Sequence, residues 1–426
     1  MALALEGIKV IDLSQVAAVP MCARHLADFG ADVIHIENPA TGDSWRVFQQ
    51  ASQDQKNCAP SDFNYNWENF NRNKRSVTVD ISQESGRNII CKMVEQADVF
   101  LNNLRLSELE RYRLDYDDLC QINPRIIWGN VNGYGKAGPD KNLPAYDTTA
   151  FWSRSGIPSM LSFPGVPCIG YRPAIGDNVA ALALAYGVMM ALFVREKTGV
   201  GQAVDISLLH TGLYQFSFDV AGALATGMDF DEWRGVPDSE LVMQAQAAIV
   251  QVMAFYGVNA TNPLTGMYTT KDMRSLIFVV LQPDRYWSRF CKAIGREDLG
   301  EDPKYSTVEG RAEDVALLRQ AITGAFITKT LDEWRPLLEG IPYAPRQTVK
   351  EVINDPQARE SGCFVVYDHP EHGRIEAVAN PVMLSKNPST VRMPAPEFGQ
   401  HTEEVLLEFG YDWDDIIRFK EQGVIA

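Results

Sequence analysis

Short apolar runs alternate with amphipathic segments over the first two hundred residues. The run IKVIDL (8–13) has the composition of a strand, PMCARHLADFG (20–30) starts with proline and ends with glycine as helices do, and DVIHIE (32–37) is a second strand. The alternation continues with strands predicted at 76–81, 98–103 and 126–132 and helices predicted at 82–96 and 106–121. This pattern predicts an α/β fold with a parallel sheet, helices on both faces and ligands at the carboxyl ends of the strands.

The rest of the chain contains one long apolar segment and then a change in amino-acid composition. The apolar run 179–194 is shorter than the ~20 residues that a membrane span needs and predicts a buried helix. A glycine turn and a strand follow at 198–209, and from about Ser217 a second domain begins, with two strands predicted within 265–282. Later segments predict helices at 284–295, 311–328, 330–339 and near 402–409, and strands within 362–370 and 373–384.

Charge and cysteine content exclude several classes of protein. The 426 residues carry a net charge of -16, and the pI near 4.9 argues against binding to nucleic acid or to acidic membranes. The seven cysteines form no C-x-x-C pair, the six histidines form no i, i+4 pair, and no metal site is expected. With no export signal visible at the N-terminus, the chain is expected in a reducing cytoplasm.

The stretch GYGKAGPDKNLPAYD (133–147) contains a G-x-G-x-x-G pattern and ends in Asp147. Pro139 and Pro144 prevent a helix from following the glycines, so a dinucleotide-binding turn is disfavoured and a loop is predicted. Asp147 stands before TTAFWSRSG, where an aspartate commonly serves as a helix N-cap. A carboxylate at a helix start beside glycine amides also suits a nucleophile for acyl transfer, and the two roles are compatible.

Basic residues collect at three loops of this acidic chain, one of which follows the strand predicted at 98–103 and leads to Arg105, Arg111 and Arg113. The cluster NRNKRS (71–76) is placed just before a predicted strand, and Lys136 and Lys141 flank the glycine loop. Such a cluster is usually a solvated surface, but cations at successive loops also suit phosphate binding.

Several of these motifs, in this order, resemble the class III CoA-transferase family, also called CaiB/BaiF. The resemblance runs over nearly the whole chain and rests on LEGIKVIDLS, LADFGADVIHIENPATGD, NRNKRSVTVDI, DVFLNNLR, NPRIIWGNVNGYGKAGP, the AYD triplet and REKTGVGQAVDISLL. It implies a large Rossmann-like α/β domain from residues 1–215 and 345–426, a small α+β domain from 225–335, linkers at 216–224 and 336–344, and an interlocked homodimer.

The resemblance also implies a mechanism and a set of ligand contacts. Asp147 matches the aspartate that attacks an acyl-CoA thioester, giving a mixed anhydride and then an aspartyl-CoA thioester, from which a carboxylic acid takes CoA. Acyl-CoA and the acid are thus the expected small-molecule partners, with neither nucleic acid nor membrane among them. The residues that the resemblance places near CoA are Ala18, Arg72, Lys74, Arg75, Asn103, Leu104, Arg105, Tyr134 and Lys136.

The sequence departs from the family pattern at two places. His35 stands where many members have lysine, and AAVP (17–20) replaces the usual AGP, which puts phosphate and thioester contacts there in question. The stretch 138–156 is more similar to the branch that acts on aryl or branched 2-hydroxy acids. Two alternatives stay open: a 2-methylacyl-CoA racemase, disfavoured because no histidine lies between residues 36 and 209, and a CoA-binding protein without catalysis.

Overall fold

The computed structural model describes residues 2–54, 59, 61–161, 172–228 and 261–426. Over these residues the contacts divide the chain into two units. The first unit contains 2–161 (with the gaps just given), 172–228 and 360–426, and the second contains 261–359.

The first unit is built on a six-stranded sheet in which every neighbouring pair is parallel. This confirms the predicted α/β class and parallel sheet. The strands are β1 (Lys9–Leu13), β2 (Asp32–Glu37), β3 (Lys74–Thr78), β4 (Val99–Asn102), β5 (Ile127–Asn132) and β6 (Ala203–Ser207), and their order is β3-β2-β1-β4-β5-β6.

Helices connect the strands of this sheet. They are α1 (Ala18–Asp28), α2 (Trp45–Asp54), α3 (Tyr65–Asn71), α4 (Glu84–Val94), α5 (Leu106–Tyr112), α6 (Tyr116–Ile122), α7 (Ile157–Leu161), α8 (Ile175–Thr198), α9 (Leu208–Gln215) and α10 (Ser217–Thr226). A π-helical segment, Asp147–Ser153, precedes α7.

Alternate strand residues face two separate cores. Val10 and Val33 pack into a core with α1 and α8, while Ile11 and Ile34 pack into a core with α4 and the C-terminal helices. Because successive side chains point to opposite faces of a strand, a sheet covered on both faces needs apolar residues at nearly every position. The continuous apolar runs in the sequence have this cause.

The first unit closes with a hairpin and two C-terminal helices. The bounds are β10 (Phe364–His369), β11 (Gly373–Val378), α18 (Thr402–Glu408) and α19 (Trp413–Glu421). The two hairpin strands are antiparallel. The sequence pattern predicted the hairpin strands and α18 but not α19.

The second unit is an α+β unit around an aromatic core. An antiparallel sheet contains β7 (Thr265–Thr269), β8 (Ser275–Val279) and β9 (Tyr343–Pro345). Phe278, Phe290, Phe326 and Trp334 pack together beneath it. Its helices are α11 (Pro283–Ala293), α12 (Glu297–Glu301), α13 (Val308–Glu313), α14 (Val315–Phe326), α15 (Leu331–Leu337) and α16 (Val349–Val352), while α17 (Pro356–Glu360) lies at the boundary of the two units.

Several predicted bounds differ from the structure, and in three elements the difference has a clear cause. The strand predicted at 76–81 is β3, which already begins at Lys74, because buried partners neutralise the charge of that lysine. The helix predicted at 106–121 is two helices, divided at Arg113, which adopts a left-handed φ of 55°. The helix predicted at 311–328 is likewise two, divided at Asp314.

Helix α8 is longer than its apolar run and is only partly buried. It has 24 residues, by length and composition it could cross a membrane, and 33% of its apolar window is buried. The buried face packs on α1 and β5, in the core that contains Leu184 and Val188. The other face is exposed, so the predicted helix is confirmed but is buried on one face only.

Candidate functional site

A cavity lies at the carboxyl edge of the parallel sheet. Its volume is about 480 Å³. Residues at or directly after the ends of β1, β2, β4 and β5 contribute to its wall. From β1 the strands β2 and β3 follow toward one edge of the sheet, and from β4 the strands β5 and β6 follow toward the other, so the switch point lies between β1 and β4. Ligands of open α/β sheets bind in the crevice at this switch point.

Asp147 contributes to the cavity wall at the start of the π-helical segment. Its side chain is largely buried, since the residue is 7% exposed. Its Oδ1 accepts a hydrogen bond of 2.9 Å from the backbone N–H of Gly176, in the first turn of α8. The N-cap position of its own segment belongs to Tyr146, so the N-cap role considered for Asp147 was wrong. The carboxylate instead occupies the N-terminus of another helix, where free amides and the helix dipole favour negative charge.

A second carboxylate, Asp177, contributes to the same cavity wall. It lies in the first turn of α8, one residue after Gly176. Burial and the charge of Asp147 raise the pKa of Asp177 to about 7. Burial also raises the pKa of Asp147, although N–H donors, first among them Gly176, oppose the shift. When two carboxylates interact strongly in one cavity wall, the charge of one favours the neutral form of the other.

The backbone around Gly176 leaves room only for glycine. A Cβ atom at this position would lie 2.2 Å from Oδ1 of Asp147 and 2.2 Å from Cγ of Phe151. Ala174, two residues earlier, has a φ of 66°, a strained conformation for a residue with a side chain. Strain and close approach therefore coincide at the point where α8 meets the carboxylate pair.

The loop after β5 connects the sheet edge to Asp147. Its first turn is held by Asn132, whose Oδ1 accepts a hydrogen bond of 2.5 Å from the N–H of Gly135. Gly135 and Gly138 have φ angles of 98° and 94°, which favour glycine. The amide that contacts Asp147 belongs to Gly176, outside this loop.

Four of the residues expected near CoA contribute to the cavity wall: Ala18, Asn103, Leu104 and Arg105. Asn103 also holds the β1–α1 turn, because it accepts from the N–H of Gln15 at 3.1 Å and donates to its carbonyl at 2.7 Å. The exposed Lys141 contributes to the same wall.

The other residues expected near CoA lie outside this wall. Arg72 is buried and pairs with Asp28 at 3.0 Å, Lys74 is buried and pairs with Asp12 at 2.9 Å, and Arg75 pairs with Asp32 at 2.6 Å. On the glycine loop, Tyr134 lies beneath the Arg154 guanidinium, and Lys136 pairs with Asp205 at 2.7 Å. Their contact with CoA stays a prediction.

His35 lies in the core of the sheet. Its Nδ1 is 2.9 Å from Oδ2 of Asp12, and its Nε2 is 3.5 Å from Oδ2 of Asp43. All three side chains are fully buried. A histidine between two carboxylates is a different arrangement from the exposed lysine that phosphate binding would use.

Asp177 was not identified from the sequence. Its only local signal is the dipeptide Gly176–Asp177 before a long apolar run, and an acidic residue in the first turn of a helix is common. Its proximity to Asp147 comes from a contact between residues about thirty positions apart in the chain.

Comparison with known proteins gives a consistent result. The model of CoA-transferase family III matches residues 5–402. Over 425 residues the chain is 33% identical to (R)-2-hydroxy-4-methylpentanoate CoA-transferase of Clostridioides difficile, covering 99% of both chains. Over 421 residues it is 32% identical to cinnamoyl-CoA:phenyllactate CoA-transferase of Clostridium sporogenes, covering 96% of this chain and 94% of that protein.

A solved structure has a similar fold. The CAIB/BAIF family protein from Brucella suis superimposes with a TM-score of 0.76 and 24% identity, covering 96% of this chain and 100% of that one.

Proposed function

The chain belongs to CoA-transferase family III, and we propose that it moves CoA from an acyl-CoA to a free carboxylic acid through a covalent intermediate on the Asp147–Asp177 pair. The observation that carries the proposal is the pair itself, two adjoining carboxylates in the wall of one cavity at the carboxyl edge of the sheet. Acyl transfer by a carboxylate needs an oxygen nucleophile and amide donors for the developing oxyanion, which the pair and the first turn of α8 are proposed to provide.

The proposed reaction conserves charge at every step. A carboxylate of the pair attacks the thioester carbonyl and the C–S bond breaks. CoA leaves as a thiolate, and a mixed anhydride of the acyl group and the aspartate remains on the enzyme. The thiolate then attacks the aspartyl carbonyl, which gives an aspartyl-CoA thioester and releases the donor acid as carboxylate. The acceptor carboxylate repeats the two steps in reverse, so that no net proton or electron is required.

Two properties distinguish the members of the pair. Asp147, the candidate from the sequence, is supported by the hydrogen bond from Gly176, which favours its ionised form. Asp177 is supported by exposure, because its residue is partly exposed whereas Asp147 is only 7% exposed. We propose that one proton is shared between them in the resting enzyme and that the ionised member attacks.

The N-terminus of α8 supports the proposed chemistry. The Gly176 amide and the neighbouring amides at the start of α8 interact with the carboxylate of Asp147. Aligned peptide dipoles at a helix start stabilise negative charge, including that of a tetrahedral intermediate.

CoA is proposed to bind to the large α/β domain predicted at 1–215 and 345–426. All residues of the cavity wall belong to the first unit, which supports this assignment. Arg105 contributes to the cavity wall and makes no ion pair within the described part of the chain, so it is proposed to contact a CoA phosphate. Ala18, Asn103 and Leu104 are proposed to contact the rest of the molecule.

The acyl substrates are proposed to be branched or aryl acids, with 2-hydroxy acids among them. Leu143, Pro144 and Tyr146 provide apolar surface in the cavity wall next to Asp147. The names of the two relatives, a 4-methylpentanoate and a phenyllactate enzyme, point to the same class of acid. The racemase alternative has less support, because no histidine is present in the cavity wall over the described residues.

The enzyme is proposed to be a cytoplasmic homodimer with interlocked chains. The association of two chains is supported by an exposed apolar face on α8, which contains Leu182, Tyr186, Met189, Met190 and Phe193. These residues recur at helical spacing on one side, and a contiguous apolar face of this kind marks a protein interface.

A two-substrate transfer assay tests the proposal. Purified protein is incubated with a panel of acyl-CoAs and free acids, and new CoA thioesters are identified by chromatography and mass. We expect a new thioester only when donor and acceptor are both present, with ping-pong kinetics. Hydrolysis alone, or inversion of a 2-methylacyl-CoA without exchange of the acyl group, would contradict transfer.

A further inference from the structure

We propose that His35 is a positioning residue that, as an imidazolium between Asp12 and Asp43, holds the turn around Val16 in the shape that contributes to the cavity wall. The proposal rests on the proposed function, because the cavity is taken to bind acyl-CoA. His35 does not itself contribute to the wall.

The buried charges around His35 balance only if its ring is protonated. Lys74 Nζ bonds to Asp12 Oδ2 at 2.9 Å, and the His35 Nδ1 reaches the same oxygen at 2.9 Å. Nε2 lies 3.5 Å from Asp43 Oδ2, within ion-pair distance but without the geometry of a hydrogen bond. Two carboxylates and one lysine leave a net negative charge in the core, which an imidazolium cancels. Unpaired buried charge is costly, so this arrangement favours the charged ring.

The pKa of His35 follows from the same contacts. Burial alone would lower it, but the charge of Asp12 and the interactions with Asp12 and Asp43 raise the pKa to about 9. The nearby carboxylate of Glu37 is already paired with Arg46 at 2.7 Å. The ring is therefore charged at neutral pH.

Asp43 carries the effect of His35 to the cavity. Its two oxygens accept from the N–H of Val16 at 3.1 and 3.2 Å, and Oδ1 also accepts from the N–H of Trp45 at 2.8 Å. Val16 has a φ of 73°, a strained conformation for a β-branched residue that persists only when surrounding contacts stabilise it. Gln15, Val16 and Ala17 all contribute to the cavity wall. Loss of the hydrogen bonds from Val16 to Asp43 would let the turn around Val16 leave this strained conformation and change the shape of the cavity wall.

Four variants test the role of His35. His35→Gln removes the charge, Asp43→Asn keeps an oxygen for Val16 but removes the partner charge, and His35→Lys restores a cation. His25→Gln is the matched control, because His25 is also buried, bonds to Asn380 at 3.1 Å and has a pKa that burial lowers to about 3, so that it is neutral. CoA binding is measured by calorimetry, and KM and kcat are measured in the transfer assay.

We expect His35→Gln and Asp43→Asn to weaken CoA binding and to raise KM for acyl-CoA by about tenfold, because the competent wall is less populated, with kcat at saturation kept within about twofold. His35→Lys should recover part of the loss, and His25→Gln should leave KM unchanged. A His35→Gln variant that folds with unchanged KM, or a His25→Gln variant with the same rise in KM, would overturn the inference.

Two further results separate the inference from the proposed function. Nitrogen NMR of the His35 ring at pH 7.5 is expected to show both ring nitrogens protonated, and a neutral ring would overturn the inference while leaving the transferase proposal intact. If the wild-type protein neither binds CoA nor transfers it, the proposed function fails first, and the inference falls with it.

Discussion

At the scale of single residues, the site is defined by two carboxylates whose environments differ. Asp147 is enclosed and bonded to the amide of Gly176, whereas Asp177 is half-buried with a pKa raised to about 7. Groups with shifted pKa values in a cavity are typical of catalytic sites, although buried structural pairs show shifts as well. Substitution distinguishes these two roles.

Asp147→Asn and Asp177→Asn are each expected to reduce kcat by roughly 10³-fold or more, because each removes a member of a pair that acts as a unit. CoA affinity should change little, since the cationic contacts remain. The exposed Asp117→Asn serves as the control and should keep full activity. Normal transfer by both pair variants would contradict a catalytic role for the pair.

The titration of Asp177 is a second prediction. Carbon NMR of labelled aspartate should show a carboxyl that titrates near pH 7, and Asp147→Asn should lower this pKa because the neighbouring charge is removed while burial remains. A folded-state pKa above the unfolded value means that the contribution of Asp177 to stability is present below about pH 4 and is lost as the pH rises through 7. An unchanged pKa in Asp147→Asn would show that the two groups are not coupled.

The residue scale also shows how far the sequence can be interpreted. Asp147 could be proposed because the motifs around it are local. Asp177 could not, because its raised pKa depends on burial and on a residue thirty positions away. The buried Lys74 was placed in a loop for a similar reason, since its partner Asp12 lies on another strand.

At the scale of elements, the start of α8 brings the site together. Gly176 lets the helix N-terminus approach both Asp147 and Phe151 closely. The apolar run of α8 was visible in the sequence, but the starting residue of the helix was not, because the first turn carries no strong capping residue. The bounds of β3 and the division of two helices escaped prediction for the same kind of reason, since each depends on tertiary contacts.

Gly176→Ala is expected to lower kcat by roughly 10²-fold, because the added Cβ must displace the carboxylate of Asp147 or the ring of Phe151. The matched control is Gly324→Ala in α14, where an added Cβ meets no atom within 4 Å. That change should keep activity and stabilise the fold by up to about 1 kcal/mol, since alanine favours a helix. Equal activity of the two variants would contradict the close approach at Gly176.

At the scale of the whole molecule, alternating strands and helices predicted the α/β class and the parallel sheet. The strand order, which places the switch point between β1 and β4, was not contained in the pattern. The order determines where the cavity lies, so the residues that reach it could be proposed only in part. Four of these residues come shortly after β1 or β4, the strands at the switch point, and contribute to the wall: Ala18, Asn103, Leu104 and Arg105.

The proposed dimer is tested on the exposed face of α8. Phe193→Glu should lower the mass measured by analytical ultracentrifugation toward that of one chain, because a charge is buried at the interface. Leu317→Glu in the second unit is the control, as both side chains belong to residues that are 58% exposed. A wild-type protein that sediments as a single chain would contradict the proposed dimer.

The covalent intermediate is the central claim, and trapping it is the most direct test. The protein is incubated with acyl-CoA and hydroxylamine, digested with trypsin and mapped by mass spectrometry. Cleavage should separate Asp147, in peptide 142–154, from Asp177, in peptide 155–195, because the bond between Arg172 and Pro173 resists trypsin. We expect a hydroxamate on one of these two aspartates, and its position identifies the nucleophile. No modification of either peptide, under conditions in which CoA binds, would contradict covalent catalysis by the pair.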